Sequence, residues 1–150
     1  MMEAVIFVGI QGAGKSTFFK QRFFDTHIRI NLDMLRTKNR EKLIFEACLE
    51  AKQKFVVDKT NLMRSDREKY IVAAKSFGFK TIGYYFQTDL LRAVARNNQR
   101  EGSARIPEVG IFAAFGRLQI PQFDEGFDEL FYVSIDDENN FVIENWKDEI

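Results

Sequence analysis

The chain has 150 residues, of which 45% are hydrophobic and 29% charged, a composition typical of one soluble globular domain. Lysine plus arginine equals aspartate plus glutamate at 22 each, which excludes the overall basic field of a protein that coats nucleic acid. The single cysteine excludes an internal disulfide, and no apolar run approaches the roughly 20 residues of a membrane span. The first strand begins almost at the N-terminus and leaves no room for a signal peptide, so we expect one cytoplasmic domain over 1–150.

Short apolar runs alternate along the chain with segments of helical period. The predicted strands are 4–8, 28–30, 55–57, 81–86 and 130–135, and the predicted helices are 16–24, 40–53, 65–77, 89–100 and roughly 107–119. In the second of these helices, Leu43, Ile44, Ala47 and Cys48 recur at helical spacing and are expected to face the core. Residues 141–143 suggest a further edge strand. The alternation predicts a three-layer α/β domain, with a parallel five-stranded sheet and helices on both faces.

The segment between the first strand and the first helix reads Gly9-Ile-Gln-Gly-Ala-Gly-Lys-Ser-Thr17. This is the phosphate-binding pattern G-x-x-x-x-G-K-[ST] in a strand–loop–helix setting, which favours nucleotide binding over a chance glycine-rich turn. Glycines let the loop fold so that its N–H groups point at phosphate oxygens. Lys15 is expected to reach the β- and γ-phosphates and Ser16 to help hold Mg²⁺. The predicted nucleotide-binding residues are Gly9, Gln11, Gly12, Ala13, Gly14, Lys15, Ser16 and Thr17 of this loop, together with Arg96 and Arg100 further along the chain.

Two aspartates follow predicted strands, at the edge where ligands bind in open α/β sheets. Asp58 ends an apolar strand and has the form expected of an acid oriented toward Mg²⁺. Asp33 follows the second strand, and Arg36 lies three residues further on. Asp33 could simply cap a helix; alternatively, it is the carboxylate that accepts a proton from an attacking hydroxyl, with Arg36 gripping a phosphorylated acceptor.

Arg92, Arg96 and Arg100 recur every four residues and form one basic stripe on the fourth predicted helix. Such a stripe is usually a solvated face. Here it consists only of arginine and leads into a loop with Gly102 and Arg105, which favours a mobile lid that neutralises charge during phosphoryl transfer. We assign that lid role to Arg96 and Arg100.

Taken together, the chain resembles the P-loop polynucleotide 5′-hydroxyl kinases, both the phage type and the kinase half of the DNA-end-healing kinase-phosphatases. The resemblance covers nearly the whole length. Besides the glycine-rich loop, it rests on Asn31-Leu-Asp-Met-Leu-Arg36, Val57-Asp-Lys-Thr-Asn-Leu62, Arg96-Asn-Asn-Gln-Arg100, Arg105-Ile-Pro-Glu-Val109 and Glu125-Gly-Phe-Asp-Glu-Leu130.

The resemblance implies a P-loop fold with an arginine-bearing lid, and ATP- and Mg²⁺-dependent phosphorylation of the 5′-OH end of DNA or RNA, as in nucleic acid repair. Matched motif to motif, Asp33 would be the general base and Arg36 would hold the 3′-phosphate of the acceptor. Arg100 would act on the γ-phosphate with Arg96 beside it. Asp58 would lie near the metal with Ser16, and Thr60 and Asn61 would shape the acceptor side.

Two departures and two alternatives accompany this resemblance. The chain shows no phosphatase half, so we do not expect it to remove 3′-phosphates. Its neutral charge favours a short or single-stranded end over duplex DNA. The alternatives are a P-loop kinase for a small acceptor, such as a nucleoside, sugar or metabolite, and a non-catalytic module that uses ATP as a conformational signal.

Overall fold

The structure, a computed structural model, describes residues 2–87, 90–102 and 107–147, with the backbone alone at 90, 92 and 96. The strands are Glu3–Val8 (β1), Ile28–Ile30 (β2), Phe55–Val57 (β3), Lys80–Phe86 (β4), Glu129–Ile135 (β5) and Phe141–Asn145 (β6). The α-helices are Lys15–Arg22 (α1), Leu32–Leu35 (α2), Lys38–Ala51 (α3), Arg64–Ser76 (α4), Leu90–Asn98 (α5) and Glu108–Arg117 (α6). A 3₁₀ turn spans Phe123–Glu125. The five predicted strands are confirmed, and the short helix α2 follows the second of them.

The strands of the described chain form one sheet in the order β2-β3-β1-β4-β5-β6. Neighbours among the first five pair in parallel, whereas β6 pairs with β5 in the antiparallel direction. The sheet therefore has six strands, and the prediction of five parallel strands is corrected by this antiparallel edge. The cause is a tight turn in which Asp136 N–H donates to the Asn140 carbonyl at 2.9 Å. A hairpin so short can only return the chain antiparallel.

Helices cover both faces of the sheet. Side chains of β1 alternate between these faces, and both sets are buried against helices. Ala4, Ile6 and Val8 of β1 lie in a cluster with residues of α3 and α4. Val5 and Phe7 lie in a second cluster with Phe18, Phe19 and Phe23 on and after α1. The predicted three layers are thus present, with β1 at the centre and the loop that follows it at the carboxyl edge.

The inward face of α3 differs from the prediction. Leu43 and Ile44 are 57% and 37% exposed, whereas Cys48 and Leu49 are buried. Ala47 is also exposed. The inward stripe is rotated because Glu41, only 5% exposed, occupies its first position. Hydrophobic spacing alone cannot reveal that a charged residue is buried against partners from other elements.

A third cluster attaches the helices after β4 to the glycine-rich loop. Ile10 of the loop packs with Leu62, Ala93 of α5, and Ile111 and Ala114 of α6. Gly12 approaches α5 so closely that a Cβ there would lie 2.5 Å from the Ala93 carbonyl oxygen. The base of α5 is therefore fixed against the loop. In the described part of the chain, no helix has the length and apolar character required to span a membrane.

Candidate functional site

The glycine-rich loop has the backbone that its sequence predicts. Gly12 and Gly14 have φ values of 82° and 96°, in the region that favours glycine, and Gly14 caps the N-terminus of α1. The Gly9 N–H donates to the Thr60 carbonyl at 3.0 Å, which ties the loop to the segment after β3. The loop thus presents the positive end of α1 at the carboxyl edge of β1, an arrangement that suits an anion.

Lys15 is folded back over this loop. Its Nζ donates to the carbonyl oxygens of Gly9 at 2.8 Å and Ile10 at 2.7 Å, and the residue is only 9% exposed. Burial, together with the charge of Arg100, lowers the pKa of Lys15 to about 8, against an opposing effect of Asp58. Two backbone carbonyls thus hold the buried ammonium at the loop where phosphates are expected to bind.

One polar atom of the loop lacks a hydrogen-bond partner. The side-chain oxygen of Gln11 is buried and has no hydrogen-bond partner among the described residues. Buried polar atoms are nearly always satisfied, so such an atom marks a place where a group is expected. Turning the amide over would present its NH₂ instead, which is the polarity that phosphate oxygens need.

Ser16 and Asp58, the two residues predicted to hold Mg²⁺, lie close together, and their role toward a metal stays a prediction. Ser16 Oγ donates to Asp58 Oδ2 at 3.5 Å, and the Asp58 side chain is 2% exposed. A hydroxyl and a carboxylate are both oxygen donors, the type that Mg²⁺ prefers. The donor set therefore fits Mg²⁺. Arg29, which the sequence reasoning did not single out, contacts both side chains: Nε lies 2.8 Å from Asp58 Oδ2 and Nη2 lies 2.9 Å from Ser16 Oγ.

The segment that carries Asp33 and Arg36 is the four-residue helix α2. Asn31 caps it, with Oδ1 accepting from the Met34 N–H at 2.9 Å, so the interpretation of Asp33 as the cap is wrong. Asp33 lies in the first turn and is exposed. Arg36 ends the helix, is exposed, and has φ 77° and ψ −37°, a strained backbone for a residue other than glycine.

Asn31 also connects α2 to the metal pair, because its Nδ2 donates to the Asp58 backbone carbonyl at 2.7 Å. The Asp58 N–H in turn donates to the Ile30 carbonyl at 2.8 Å. The carboxyl ends of β2 and β3 are thus joined. The helix that carries the predicted acceptor residues starts directly at that junction.

Thr60 and Asn61 lie between β3 and α4. The Asn61 side chain is 3% exposed, and its Nδ2 donates to the Phe7 carbonyl at 2.8 Å. The Thr60 carbonyl accepts the Gly9 N–H. Both contacts brace the end of β1, so the structure places these residues as supports of the glycine-rich loop. Their predicted role toward an acceptor stays a prediction.

Of the predicted lid arginines, Arg100 is described in full. It follows α5, is exposed, and lies close enough to Lys15 for its charge to lower the pKa of that ammonium. Arg92 and Arg96 lie on α5 at four-residue spacing, and their side chains fall outside the described residues, as does all of Arg105. The structure thus brings Arg100 and Lys15 into one electrostatic field.

The sequence reasoning missed a buried polar cluster that includes the residue after Asp58 in the chain. Lys59, next to Asp58, donates to Glu41 Oε1 at 3.0 Å and to Tyr70 Oη at 3.0 Å, and Tyr70 also donates to Glu41. Burial alone would raise the pKa of Glu41, but the hydrogen bonds from Tyr70 and Lys59 lower it. The cluster links α3, the β3 end and α4. A glutamate at an inward position of α3 was the only signal in the sequence.

A second buried ion pair secures the loop after β3. Arg67 is fully buried and binds Glu125 through two hydrogen bonds of 2.7 and 2.9 Å. Its Nη1 donates to the carbonyls of Asn61, Leu62 and Gln119 at 2.8, 3.2 and 3.1 Å. One guanidinium therefore holds three chain segments behind the site.

Comparisons with known proteins bear on the family and the fold of the chain. The AAA domain family matches residues 36–119. The bifunctional polynucleotide phosphatase/kinase of Schizosaccharomyces pombe is 28% identical over 134 residues, which cover 83% of this chain and 32% of that protein. The chain thus spans about a third of the length of this curated relative.

Two solved structures share the fold at low sequence identity. A gluconokinase from Sinorhizobium meliloti 1021 matches with a TM-score of 0.61 and 18% identity, over 89% of this chain and 82% of that one. Kti12 of Chaetomium thermophilum, solved in complex with ADP-AlF3, matches with a TM-score of 0.64 and 14% identity, over 89% of this chain and 90% of its own. The comparisons support a P-loop kinase, and the names of the phosphatase/kinase and of the gluconokinase state different acceptors.

Proposed function

Since the chain belongs to the AAA domain family and has a P-loop kinase fold, we propose that it transfers the γ-phosphoryl group of ATP to the 5′-hydroxyl end of a DNA or RNA strand. The proposal is supported by the curated relative reported above, which is named a bifunctional polynucleotide phosphatase/kinase and aligns over 83% of this chain. We extend the proposal to Mg²⁺ dependence, to a cytoplasmic location and to a role in repairing nucleic acid ends.

The observation that carries the proposal is the hydrogen bond from Asn31 Nδ2 to the Asp58 carbonyl at 2.7 Å. It supports an acceptor segment and a phosphate cradle at one edge of the sheet, because Asn31 opens the helix of Asp33 and Arg36 while Asp58 contacts Ser16. A kinase requires such a meeting of a base, a cation for the acceptor and a site for the donor phosphates.

In the proposed reaction, the oxygen of the 5′-hydroxyl forms a bond to the γ-phosphorus. Asp33 accepts the proton that this hydroxyl loses. The bond from that phosphorus to the bridging oxygen breaks, and ADP leaves. Lys15 and Arg100 stabilise the negative charge on the transferred group. Ser16 and Asp58 would hold Mg²⁺, which neutralises phosphate charge when bound.

Arg36 gives the acceptor its identity in this proposal. A nucleic acid strand carries a phosphate on the 3′ side of its first nucleoside, and a guanidinium can bind it through two parallel hydrogen bonds. A free nucleoside or sugar lacks that group. Because the chain as a whole is neutral, a polyanion must be held by such local contacts.

The deciding experiment is an end-labelling assay with γ-labelled ATP and Mg²⁺. The acceptors are 5′-OH DNA, 5′-OH RNA, nucleoside 3′-monophosphates and the free nucleosides. We expect transfer to the first three and little to the free nucleosides. Transfer to nucleosides or sugars alone would establish the small-acceptor kinase instead, and ATP binding with transfer to none would establish a non-catalytic module.

The base assignment is tested with Asp33→Asn, which we expect to slow transfer by about 10²–10⁴ while ATP affinity is retained. Asp25→Asn is the matched control, because Asp25 is also exposed but follows α1 rather than a strand of the carboxyl edge. If the Asp33 variant labels oligonucleotides at the normal rate, another group takes the proton.

A further inference from the structure

Arg29 binds both side chains that we expect to hold Mg²⁺. Its Nε donates to Asp58 Oδ2 at 2.8 Å and its Nη2 donates to Ser16 Oγ at 2.9 Å. The same Asp58 oxygen accepts from Ser16 Oγ at 3.5 Å. One guanidinium thus engages the two oxygen atoms that a divalent cation would need.

The register between β2 and β3 explains how the Arg29 side chain reaches Asp58. Arg29 on β2 pairs with Val56 on β3, two residues before Asp58. Because side chains alternate along a strand, Arg29 and Ile30 point to opposite faces. Ile30 enters the core below α3 and α4, whereas the Arg29 guanidinium lies over the Phe19 ring of α1 at 5.8 Å. Stacking on an aromatic ring holds the fork in place beside Asp58.

The contact has an electrostatic reason. The Asp58 side chain is 2% exposed, and a buried carboxylate without a cation is costly. Arg29, itself 24% exposed, supplies that cation from the solvent side. Any metal ion that binds Asp58 Oδ2 and Ser16 Oγ must therefore first displace a guanidinium that is already paired and well oriented.

We propose that Arg29 is a resident counter-ion of the Ser16–Asp58 pair, which competes with divalent cations and makes the chain take its metal together with a nucleotide. The proposal deepens the proposed function, since it takes Ser16 and Asp58 as the metal pair. Metal alone leaves the displaced guanidinium without a partner. Metal that arrives on a triphosphate brings anionic oxygens to which the guanidinium can transfer its hydrogen bonds. Arg29 thereby determines specificity for the metal–nucleotide complex over the free metal ion.

The test is a titration of the nucleotide-free protein with Mn²⁺, which prefers the same oxygen ligands as Mg²⁺ and is detected by electron paramagnetic resonance. We expect weak binding to the unmodified chain and binding about tenfold tighter, or more, to Arg29→Gln, because the competing charge-assisted hydrogen bonds are gone. Arg22→Gln is the matched control. Arg22 stacks on Phe18 at 5.5 Å, in the same aromatic cluster, and should leave Mn²⁺ affinity unchanged.

A second measurement covers the case in which Arg29→Gln folds poorly because Asp58 loses its counter-ion. Arg29→Lys retains a positive charge but not the two-pronged contact, and should bind Mn²⁺ with intermediate affinity. In nucleotide-free thermal unfolding, Mg²⁺ should raise the Tm of both Arg29 variants more than that of the unmodified chain. Adding Asp58→Asn should remove that gain. Equal Mn²⁺ affinity and equal Mg²⁺ shifts in all these proteins would overturn the proposal.

These readouts do not depend on the acceptor. If the unmodified chain fails to label any oligonucleotide, the proposed function fails while the metal titration still decides the role of Arg29. If oligonucleotides are labelled and the Arg29 variants bind metal like the unmodified chain, only the inference about Arg29 fails.

Discussion

The part of the candidate site that we propose for the phosphate donor (the donor side) is built differently from the part that we propose for the acceptor (the acceptor side). On the donor side, Lys15 and Asp58 are buried and hydrogen-bonded, and the glycine-rich loop is packed against α5. On the acceptor side, Asp33 and Arg36 are exposed on a helix of four residues. Replacing a buried residue disturbs packing and hydrogen bonds, whereas an exposed segment can change at little cost in stability. If this assignment holds, we expect the exposed segment rather than the shared fold to decide which acceptor is used.

The largest effect on the reaction rate is expected from Arg100, the predicted lid residue whose charge acts on Lys15. Arg100→Gln should lower kcat by about 10³–10⁵, because a guanidinium on the transferred phosphoryl group stabilises charge that develops only in the transition state. The Tm should change little, since Arg100 is exposed. ATP affinity should fall far less than kcat, because most of the predicted phosphate contacts come from the glycine-rich loop. Single-turnover kinetics with labelled ATP measure the effect.

Arg117→Gln is the control for that experiment, because Arg117 is an exposed arginine at the end of α6. A normal rate with Arg100→Gln would show that the charge of Arg100 acts on Lys15 in the free protein but not on the reaction. The arginine stripe would then be a solvated face.

The donor side should also depend on the buried pair behind it. Arg67→Leu is expected to lower the free energy of unfolding by about 3–5 kcal/mol, because Glu125 and three backbone carbonyls lose their buried donor. Arg64→Leu provides a matched comparison on the same helix. Arg64 pairs with Asp124 at 2.8 Å, but both side chains are more than half exposed, so the cost should be about 0–1 kcal/mol. Urea unfolding of both variants measures the difference, and equal costs would contradict the assignment.

A smaller effect is expected from the protonation of Lys15. Its pKa of about 8 in the free protein lies below the ordinary value of 10.5, mainly because of burial. Bound phosphates favour the charged form, so ATP binding should take up a proton at pH values above about 8. ATP affinity should be full below pH 8 and should fall by up to about tenfold per pH unit as the pH rises further.

Isothermal titration in buffers of different ionisation enthalpy detects that proton uptake. Lys15→Arg is the comparison, because a guanidinium stays charged over this range and its ATP affinity should not vary with pH for this reason. The same pH dependence in both proteins would assign the titration to another group.

The sequence predicted the donor side well because its strands and its glycine-rich loop are determined by residues close together in the chain. The five main strands were placed to within one residue, the edge strand was predicted two residues too short, and the G-x-x-x-x-G-K-[ST] pattern located the loop. Periodicity and glycine positions report on neighbouring residues, and here those neighbours decide the structure. The sixth strand followed from a turn, which is local as well.

Contacts between distant segments were not predictable in the same way. Arg29 reaches Asp58 from another strand, Arg67 binds Glu125 from 58 positions away, and Glu41 is buried only because Lys59 and Tyr70 meet it. A charged residue on a helix or a strand is normally assigned to the surface. Only the packed fold shows that Glu41 and Arg67 are buried with partners and that Arg29 contacts a buried carboxylate.

The smallest effect concerns the strained end of α2. Arg36 has φ 77°, which costs a residue with a Cβ about 1–3 kcal/mol, whereas glycine adopts it freely at the cost of a more flexible unfolded chain. Arg36→Gly should therefore raise the free energy of unfolding by about 0.5–1 kcal/mol and at the same time raise the oligonucleotide KM. Asn139→Gly, at φ 64° in the β5–β6 turn, should change neither, because asparagine tolerates this region.

Chemical unfolding and acceptor kinetics on the two variants separate the effects. A more stable variant that binds its acceptor less well would indicate that the strain is retained for the acceptor, as expected of an exposed and replaceable side of the site. A less stable variant would show instead that the Arg36 side chain supports the fold.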